Sequence, residues 1–282
     1  MTNYIIKEAQ EDVMGNPKEN IRIVFDTSNQ YVGSGYIYVN INHDVAPSHP
    51  LNIYIDVHFT DDELLNKPLA VDLLNQLKAR ASEARKDYPD LVGRLYYGAS
   101  NQQDKKFQFF QSNGFVHDES TDLLRMSVND YHSSKSKLDN VMIKENPMTD
   151  EAVINRVLTL HNSILIRAIN RDELNTFRKK PYAQHITAYA KGEIVGHIMF
   201  YGKQNDQGLW VGVIENLFIV KPYRNQRIAR HCVDACMKVF QCNDFAFAEL
   251  EVWNINTNAY QFYKKLGFKK IMETEVYAGI AQ

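Results

Sequence analysis

The 282-residue sequence predicts an α/β fold of the α+β type, built from two similar halves. The clearest sign of duplication is a pair of segments that align without a gap, KFQFFQSNGF at 106–115 and AYQFYKKLGF at 259–268. In both halves, β-branched or alternating runs typical of strands precede a long segment with helical spacing. The order strand, strand, long helix, strand, short helix occurs twice, which predicts a duplicated α/β unit.

Composition and charge narrow the class of protein. Hydrophobic residues make up 44% of the chain and charged residues 23%, which is enough apolar material for a folded core. Because 32 basic and 34 acidic residues leave a net charge of only -2, no overall bias favours nucleic acid or an anionic membrane. The N-terminus lacks a signal-peptide pattern, and we expect a cytoplasmic protein without a membrane partner.

The three cysteines do not suggest a metal site. Cys232, Cys236 and Cys242 contain no CxxC pair and have no neighbouring histidine pair, so zinc ligation is not expected. Small apolar core positions in a reduced compartment are the simpler interpretation.

A polar, serine-rich stretch separates the halves. The segment NDYHSSKSKLDN at 129–140 has little to bury, and strand-like residues begin again at Val141. We therefore predict two domains, 1–135 and 141–282.

In the first half, 30–39 and 51–59 have the composition of strands. The helix that should follow begins in DDELLNKPLAVDLL at 61–74, where acidic residues occupy the start. An acidic helix start disfavours an anionic ligand.

In the second half, Thr149 is the expected N-cap of an amphipathic helix, and 185–202 has the pattern of a hairpin around the turn Lys191–Gly192–Glu193. A strand at 211–220 then gives way, from about Arg224, to a helix with apolar residues at helical spacing. The alternating segment at 245–253 predicts the next strand, and a short helix follows it.

The second half resembles the Gcn5-related N-acetyltransferases, the GNAT superfamily. Their acetyl-CoA motif, Q/R-x-x-G-x-G/A, follows a strand; here Arg224 takes the first place and Ala229 the last, while Arg227 replaces the middle glycine. The downstream pattern N-x-x-A-x-x-F/L-Y-x-x-x-G-F is matched from Asn256 to Phe268. The resemblance implies two GNAT-like domains in tandem, each a mixed, mostly antiparallel central sheet flanked by helices.

The resemblance also implies acetyl-CoA as co-substrate, without a metal. Backbone amides at a helix N-terminus suit a pyrophosphate, and any residue except proline supplies one. Arg227 can therefore keep the donor that a glycine would provide. The implied CoA-binding residues are Phe218, Ile219, Val220, Asn225, Gln226, Arg227, Ile228, Ala229, Arg230, Asn256 and Tyr263.

Acetyl transfer to an amine requires two proton movements, one from the amine and one to the departing CoA thiolate. By the resemblance, Tyr263 is the general acid and Glu215 the base, with His197 as a reserve base. In the first half, Phe110 falls opposite Tyr263, which predicts a degenerate domain without cofactor.

The expected function is therefore direct transfer of an acetyl group from acetyl-CoA to a primary amine in a ternary complex. The acceptor is a small molecule or a peptide, and the oligomeric state is open. One alternative is a non-catalytic acyl-CoA-binding or regulatory tandem GNAT module. Another is an acyltransferase that acts on an amino sugar or a thiol precursor through the same cofactor site.

Overall fold

A computed structural model describes residues 4–146, 148–165 and 168–282. Within these residues the chain forms twelve strands and six α-helices. The strands are β1 (Tyr4–Glu8), β2 (Ile21–Asp26), β3 (Tyr31–Ile41), β4 (Leu51–Phe59), β5 (Gly93–Ala99), β6 (Val116–Ser127), β7 (Val141–Asn146), β8 (Gln184–Ala190), β9 (Glu193–Gln204), β10 (Trp210–Ile219), β11 (Phe247–Trp253) and β12 (Lys269–Ala281). The helices are α1 (Pro68–Arg85), α2 (Lys105–Ser112), α3 (Glu151–Ile164), α4 (Arg171–Phe177), α5 (Ile228–Cys242) and α6 (Thr257–Leu266).

The chain divides into two compact units. The first contains Met1–Asp122, Trp253–Tyr260 and Glu273–Gln282, and the second contains Leu123–Val252 and Gln261–Met272. Two C-terminal segments therefore belong to the unit formed by the N-terminal half. The domains 1–135 and 141–282, like the tandem arrangement of GNAT-like domains, stay predictions.

The first unit contains the successive strand pairs from β1 to β5, and β12 pairs with β5. All of these pairs are antiparallel except β4–β5, which is parallel. Helix α1 packs its leucines on one face of this sheet, where Gly35 leaves room for Leu77. Burial of this apolar face supplies most of the free energy that holds the unit together.

The second unit contains the successive pairs from β7 to β9 and on to β10 and β11. These pairs are antiparallel except β10–β11. Helix α5 covers one face, where the rings of Phe200 and Phe240 meet with centroids 5.3 Å apart. Helices α3 and α4 cover the other face, where Met199 packs in a cluster with Ile154. Mostly antiparallel sheets flanked by helices confirm the predicted fold class.

Several local predictions compare directly with the structure. The hairpin turn is confirmed, since Lys191 and Gly192 both have positive φ, as a two-residue type I′ turn requires. The N-cap of α3 is Asp150, whose carboxylate accepts from two helix amides, and not Thr149. Helix α5 begins at Ile228, four residues later than expected, because Arg227 has a left-handed backbone. Within the described residues, no helix is long and apolar enough to cross a membrane.

Candidate active site

The turn from β10 into α5 is shaped by two left-handed residues. A short 3₁₀ helix at Lys221–Tyr223 follows the strand, and Asn225 and Arg227 then both have φ of 63°. Left-handed backbone is the conformation that glycine adopts without steric cost. Arg227 therefore replaces the glycine of the GNAT pattern but keeps the glycine-like backbone.

The start of α5 can donate to an anion through its backbone. Helix geometry leaves the first amides of an α-helix without helical carbonyl partners, and the Arg227 side chain does not cap them. No acidic residue lies in the first turn. The Asn225, Gln226 and Arg227 side chains are exposed, while Ile228 is buried and anchors the turn to the core. These features suit a phosphate ligand.

Two arginines of the turn are engaged with the protein. Arg224 Nε donates to the carbonyl of Ile219 at 3.0 Å, which ties the turn to the end of β10. Arg230 Nε donates to Asp234 at 3.0 Å, and its terminal nitrogen donates to the carbonyl of His132. The guanidinium of Arg230 therefore holds the segment before β7.

The end of β10 contains a bulge. Glu215 pairs with Met199 and Phe218 with His197, so β10 has one extra residue, and Asn216 there has φ of 54°. Along β11, the parallel register of the described residues covers Val211 to Ile214 and ends there. Phe218, Ile219 and Val220 follow that point, and Val220 N donates to Val195 O at 2.9 Å. One side of the strand end is thus left for another partner.

Glu215 lies on the face covered by α3 and α4, beside Met199. Lys180 Nζ is 3.6 Å from Glu215 Oε1, and both side chains are about one third exposed, at 35% and 34%. The same Nζ lies 3.7 Å from the centroid of the Tyr201 ring. Burial and then the Glu215 carboxylate raise the pKa of Tyr201. Glu215 is therefore reachable from solvent and already has a cationic neighbour.

Tyr263 is 7% exposed, on α6. Its ring packs against Phe262 and Phe268, with centroids 5.2 and 5.8 Å away. Burial raises the pKa of Tyr263, and Cys236 on α5 adds to the effect, so the hydroxyl stays protonated at neutral pH. A protonated hydroxyl is what a general acid requires.

Glu215 and Tyr263 approach the sheet of the second unit from opposite faces. Glu215 lies on the face of α3 and α4, while Tyr263 lies near Cys236 of α5. Among the described residues no contact joins the two side chains. They could act on one substrate only where β10 and β11 are no longer paired, and their catalytic roles stay predictions.

His197 is fully buried and is poorly suited to act as a base. Its Nε2 lies 3.1 Å from Nδ1 of His185. Burial lowers the pKa of His197 well below 6.5, and His185 and His161 lower it further. Burial also lowers the pKa of His185, to about 4. Both rings therefore stay neutral near pH 7.

Asn256 caps the last helix, since its Oδ1 accepts from the amide of Ala259 at 3.2 Å. A capping role of this kind stabilises a helix start by about 1 kcal/mol. The structure gives Asn256 this local role, and its part in CoA binding stays a prediction.

The first unit lacks several features of the α5 turn. Helix α1 begins with Pro68, which has no amide hydrogen to donate. The 3₁₀ helix before it, Asp62–Asn66, has two acidic residues in its first turn. Phe110, opposite Tyr263 in the duplication, is fully buried and stacks on Tyr97 at 4.4 Å. The absence of a cofactor site in this unit stays a prediction.

Sequence reasoning missed two residues beside Glu215, Lys180 and Tyr201, and the ion pair of Lys203 with Glu249 further along the strands. Lys203 Nζ lies 2.9 Å from Glu249, which is 2% exposed and also accepts from Arg125 Nε at 2.7 Å. The alternation of β11 places Glu249 and Glu251 on one face, but nothing in the sequence indicates their cationic partners. Within the described residues, no three His, Cys, Asp or Glu side chains are grouped as a metal ion would require.

Residues 154–268 match the model of the acetyltransferase (GNAT) family. This segment is less than half of the chain and contains the β10 turn, Glu215, Asn256 and Tyr263. No curated protein sequence matches the chain.

Solved structures give weaker likenesses. A GCN5-related N-acetyltransferase from Sphaerobacter thermophilus is 10% identical, with a TM-score of 0.48, covering 93% of this chain and 81% of that one. A glucosamine N-acetyltransferase region of a fungal β-N-acetylglucosaminidase is 11% identical, with a TM-score of 0.48 and coverage of 99% and 38%. An aminoglycoside acetyltransferase from an uncultured soil sample is 14% identical, with a TM-score of 0.41 and coverage of 45% and 87%. Likenesses at this level do not indicate a substrate.

Proposed function

We propose that the protein is an acetyl-CoA-dependent N-acetyltransferase that moves the acetyl group directly to a primary amine in a ternary complex. The observation that carries the proposal is the left-handed backbone of Arg227 at the motif position of glycine. Arg227 lies between the bulged end of β10 and the start of α5, which has no acidic residue in its first turn. Together these parts suit the pantetheine arm and the pyrophosphate of CoA.

The phosphates would lie at the start of α5. The amides from Asn225 to Arg230 would donate to them, while the Arg227 side chain is exposed to solvent. The backbone of Phe218, Ile219 and Val220 would bind the pantetheine arm along the side of β10 that β11 has left. Asn256 would support this arrangement by fixing the start of α6.

The proposed reaction transfers one acetyl group and moves two protons. Glu215 takes a proton from the acceptor ammonium, and the neutral amine attacks the thioester carbonyl. The carbon–nitrogen bond forms, the carbon–sulfur bond breaks, and the CoA thiolate takes a proton from Tyr263. The Tyr263 hydroxyl is protonated at neutral pH and therefore holds the proton that the thiolate takes.

The acceptor class follows from the position of Glu215. A carboxylate next to a tyrosine ring suits a cationic amine, whether it belongs to a small molecule or to a peptide. We propose no nucleic-acid or membrane partner, in keeping with a net charge of -2, and a cytoplasmic location. The first unit would act without a cofactor of its own.

A second function, a non-catalytic acyl-CoA-binding or regulatory module, is favoured by one observation. The ammonium of Lys180 already lies 3.6 Å from Glu215, in the position that an acceptor amine would need. Under this alternative, acetyl-CoA binds without any transfer.

Two measurements on the purified chain test the proposal. Calorimetry with acetyl-CoA should show binding to one site, and release of free thiol in the presence of a primary-amine panel should show transfer. If acetyl-CoA does not bind, both proposed functions are wrong. Binding without thiol release for any amine would favour the non-catalytic module.

A further inference from the structure

We propose that Lys180 is an acetylation site of the protein itself, its ε-amine taking the acetyl group from acetyl-CoA when no other acceptor is bound. This inference rests on the proposed N-acetyltransferase function and on Glu215 as the base. It assigns a role to Lys180, which lies outside both sequence motifs.

The contacts of Lys180 are those of a bound amine. Its Nζ is 3.6 Å from Glu215 Oε1 and 3.7 Å from the centroid of the Tyr201 ring. The Phe177 ring lies on a further side, with its centroid 5.3 Å away. A carboxylate combined with aromatic faces is the usual protein environment for an organic ammonium. Lys180 thus provides a primary amine at the candidate base.

The backbone of Lys180 is held while its side chain can move. Its amide donates to Phe177 O at 3.0 Å, and its carbonyl accepts from Ala183 N at 3.2 Å, so the segment after α4 forms a fixed turn. The side chain is 35% exposed and has four rotatable carbon–carbon bonds. The ε-amine can therefore shift toward a thioester without unfolding its own segment.

The first unit contains an equivalent pair, which supports the choice of amine. The parallel pairs Tyr54↔Tyr96 and Val213↔Glu249 correspond, with residue numbers that differ by 159 and by 153. The difference of 153 is also that between Phe110 and Tyr263. Asp56 then corresponds to Glu215, since these residue numbers also differ by 159.

Asp56 is likewise paired with a lysine. Lys106 Nζ donates to Asp56 at 2.7 Å and lies 5.3 Å from the centroid of the Tyr97 ring. Lys106 belongs to α2, whereas Lys180 follows α4, and Ala259 stands at the place that corresponds to Lys106. The carboxylate at this strand position thus pairs with a lysine from a different element in each unit.

The reaction balances without any further reactant. Lys180 loses a proton to Glu215, and its Nζ attacks the acetyl carbonyl carbon, forming the amide bond. The carbon–sulfur bond breaks, and CoA leaves as the thiol after taking a proton. The products are acetyl-lysine, CoA and one released proton. Acetylation also removes the positive charge beside Glu215, because an amide nitrogen is neutral.

Lys179 provides the matched control. It is the neighbouring residue, its side chain is exposed, and its amide bonds only to the backbone carbonyl of Thr176. Uncatalysed acetylation by acetyl-CoA would modify an exposed lysine at least as readily as a partly buried one. Faster acetylation of Lys180 than of Lys179 therefore measures how much the site accelerates the reaction.

The experiment incubates the full chain with deuterated acetyl-CoA and no acceptor, and follows the peptides that contain 179 and 180 by mass spectrometry. We expect a label at Lys180 that approaches one per molecule, with a rate that saturates with acetyl-CoA. Glu215→Gln should slow this labelling by about a hundredfold, the usual effect of removing a general base. Lys180→Arg should abolish it, and Lys179→Arg should leave it unchanged.

Calorimetry with acetyl-CoA and an assay with an external amine distinguish failure of the proposed N-acetyltransferase function from failure of Lys180 self-acetylation. If acetyl-CoA binds and the amine is acetylated, but Lys180 is labelled no faster than Lys179, self-acetylation is excluded and the proposed function stands. If acetyl-CoA does not bind at all, the proposed function fails, and self-acetylation fails with it. Circular dichroism of each variant checks that the loss of labelling is not a loss of fold.

Discussion

Arg227 shares one property with the glycine that usually stands at its position, a left-handed backbone with φ of 63°. For a residue with a side chain, this conformation costs about 1 kcal/mol. The fold accepts that cost, and the amide of Arg227 keeps the orientation that a glycine would give it. If this turn binds phosphate as proposed, the requirement falls on the backbone conformation rather than on the residue type.

Substitutions at Arg227 distinguish the contribution of its backbone conformation to CoA binding from that of its side chain. We expect Arg227→Gly to bind CoA about as well as the wild type and to change stability by less than about 1 kcal/mol, because relief of strain offsets the greater freedom of glycine when unfolded. Arg227→Val should weaken CoA binding by about tenfold, since a β-branched residue disfavours left-handed backbone. Calorimetry measures both. Equal losses in the two variants would instead show that the guanidinium holds the phosphate.

The proposed role of the Tyr263 hydroxyl as general acid can be tested by removing that one oxygen atom. Tyr263→Phe keeps the ring that packs on Phe262 and Phe268 but removes the hydroxyl. Turnover should fall by about a hundredfold, with the dissociation constant for CoA unchanged, if the hydroxyl protonates the thiolate. Tyr260→Phe on the same helix, whose hydroxyl bonds to Asp122, is the control and should keep turnover. Unchanged turnover in Tyr263→Phe would rule out the hydroxyl as the acid.

Between α5 and the segment before β7, Asp234 joins elements that are distant in sequence. It accepts from the Tyr131 hydroxyl at 2.7 Å and from Arg230 Nε at 3.0 Å, and the amide of Ser134 also donates to it. This carboxylate therefore holds the first turns of α5, which contain the proposed phosphate site, against the polar junction of the two halves.

Removing the negative charge of Asp234 should weaken the attachment of α5 to the segment before β7. Asp234→Asn is expected to lower the free energy of unfolding by about 1–3 kcal/mol, since bonds from Arg230 and Tyr131 lose their charged acceptor. Urea unfolding measures the change. Asp206→Asn in an exposed loop should stay within about 0.5 kcal/mol of the wild type. If both variants behaved alike, the Asp234 contacts would contribute nothing to stability.

At the scale of elements, the sequence predicts what is local. The start of β7, the hairpin of β8 and β9, and the succession of β10, α5, β11 and α6 follow from periodicity and turn residues within short windows. The bulge at Asn216 and the left-handed Arg227 could not be predicted, because neither residue type requires that backbone. Lys180 was missed because its contact with Glu215 joins residues 35 positions apart, across which no periodic signal runs.

At the scale of the whole molecule, the fold class was predictable, but the composition of the compact units was not, and the duplication stays a prediction. The segments Trp253–Tyr260 and Glu273–Gln282 belong to the unit of the N-terminal half. Their sequences show strand and helix patterns that fit either unit equally well. The choice of partner depends on long-range pairing, such as that of β12 with β5, which composition does not encode.

Buried histidines make the stability of the molecule depend on pH. Burial lowers the pKa of His185 to about 4 and that of His197 well below 6.5, although Asp150 opposes the effect at His185. Between about pH 6.5 and 4 the unfolded chain binds more protons than the folded one, so stability falls as pH falls through this window. Urea midpoints should therefore be lower near pH 5 than near pH 7.5, and less so for His185→Gln than for the exposed-site control His43→Gln. An identical pH dependence in these two variants would exclude His185 as the cause.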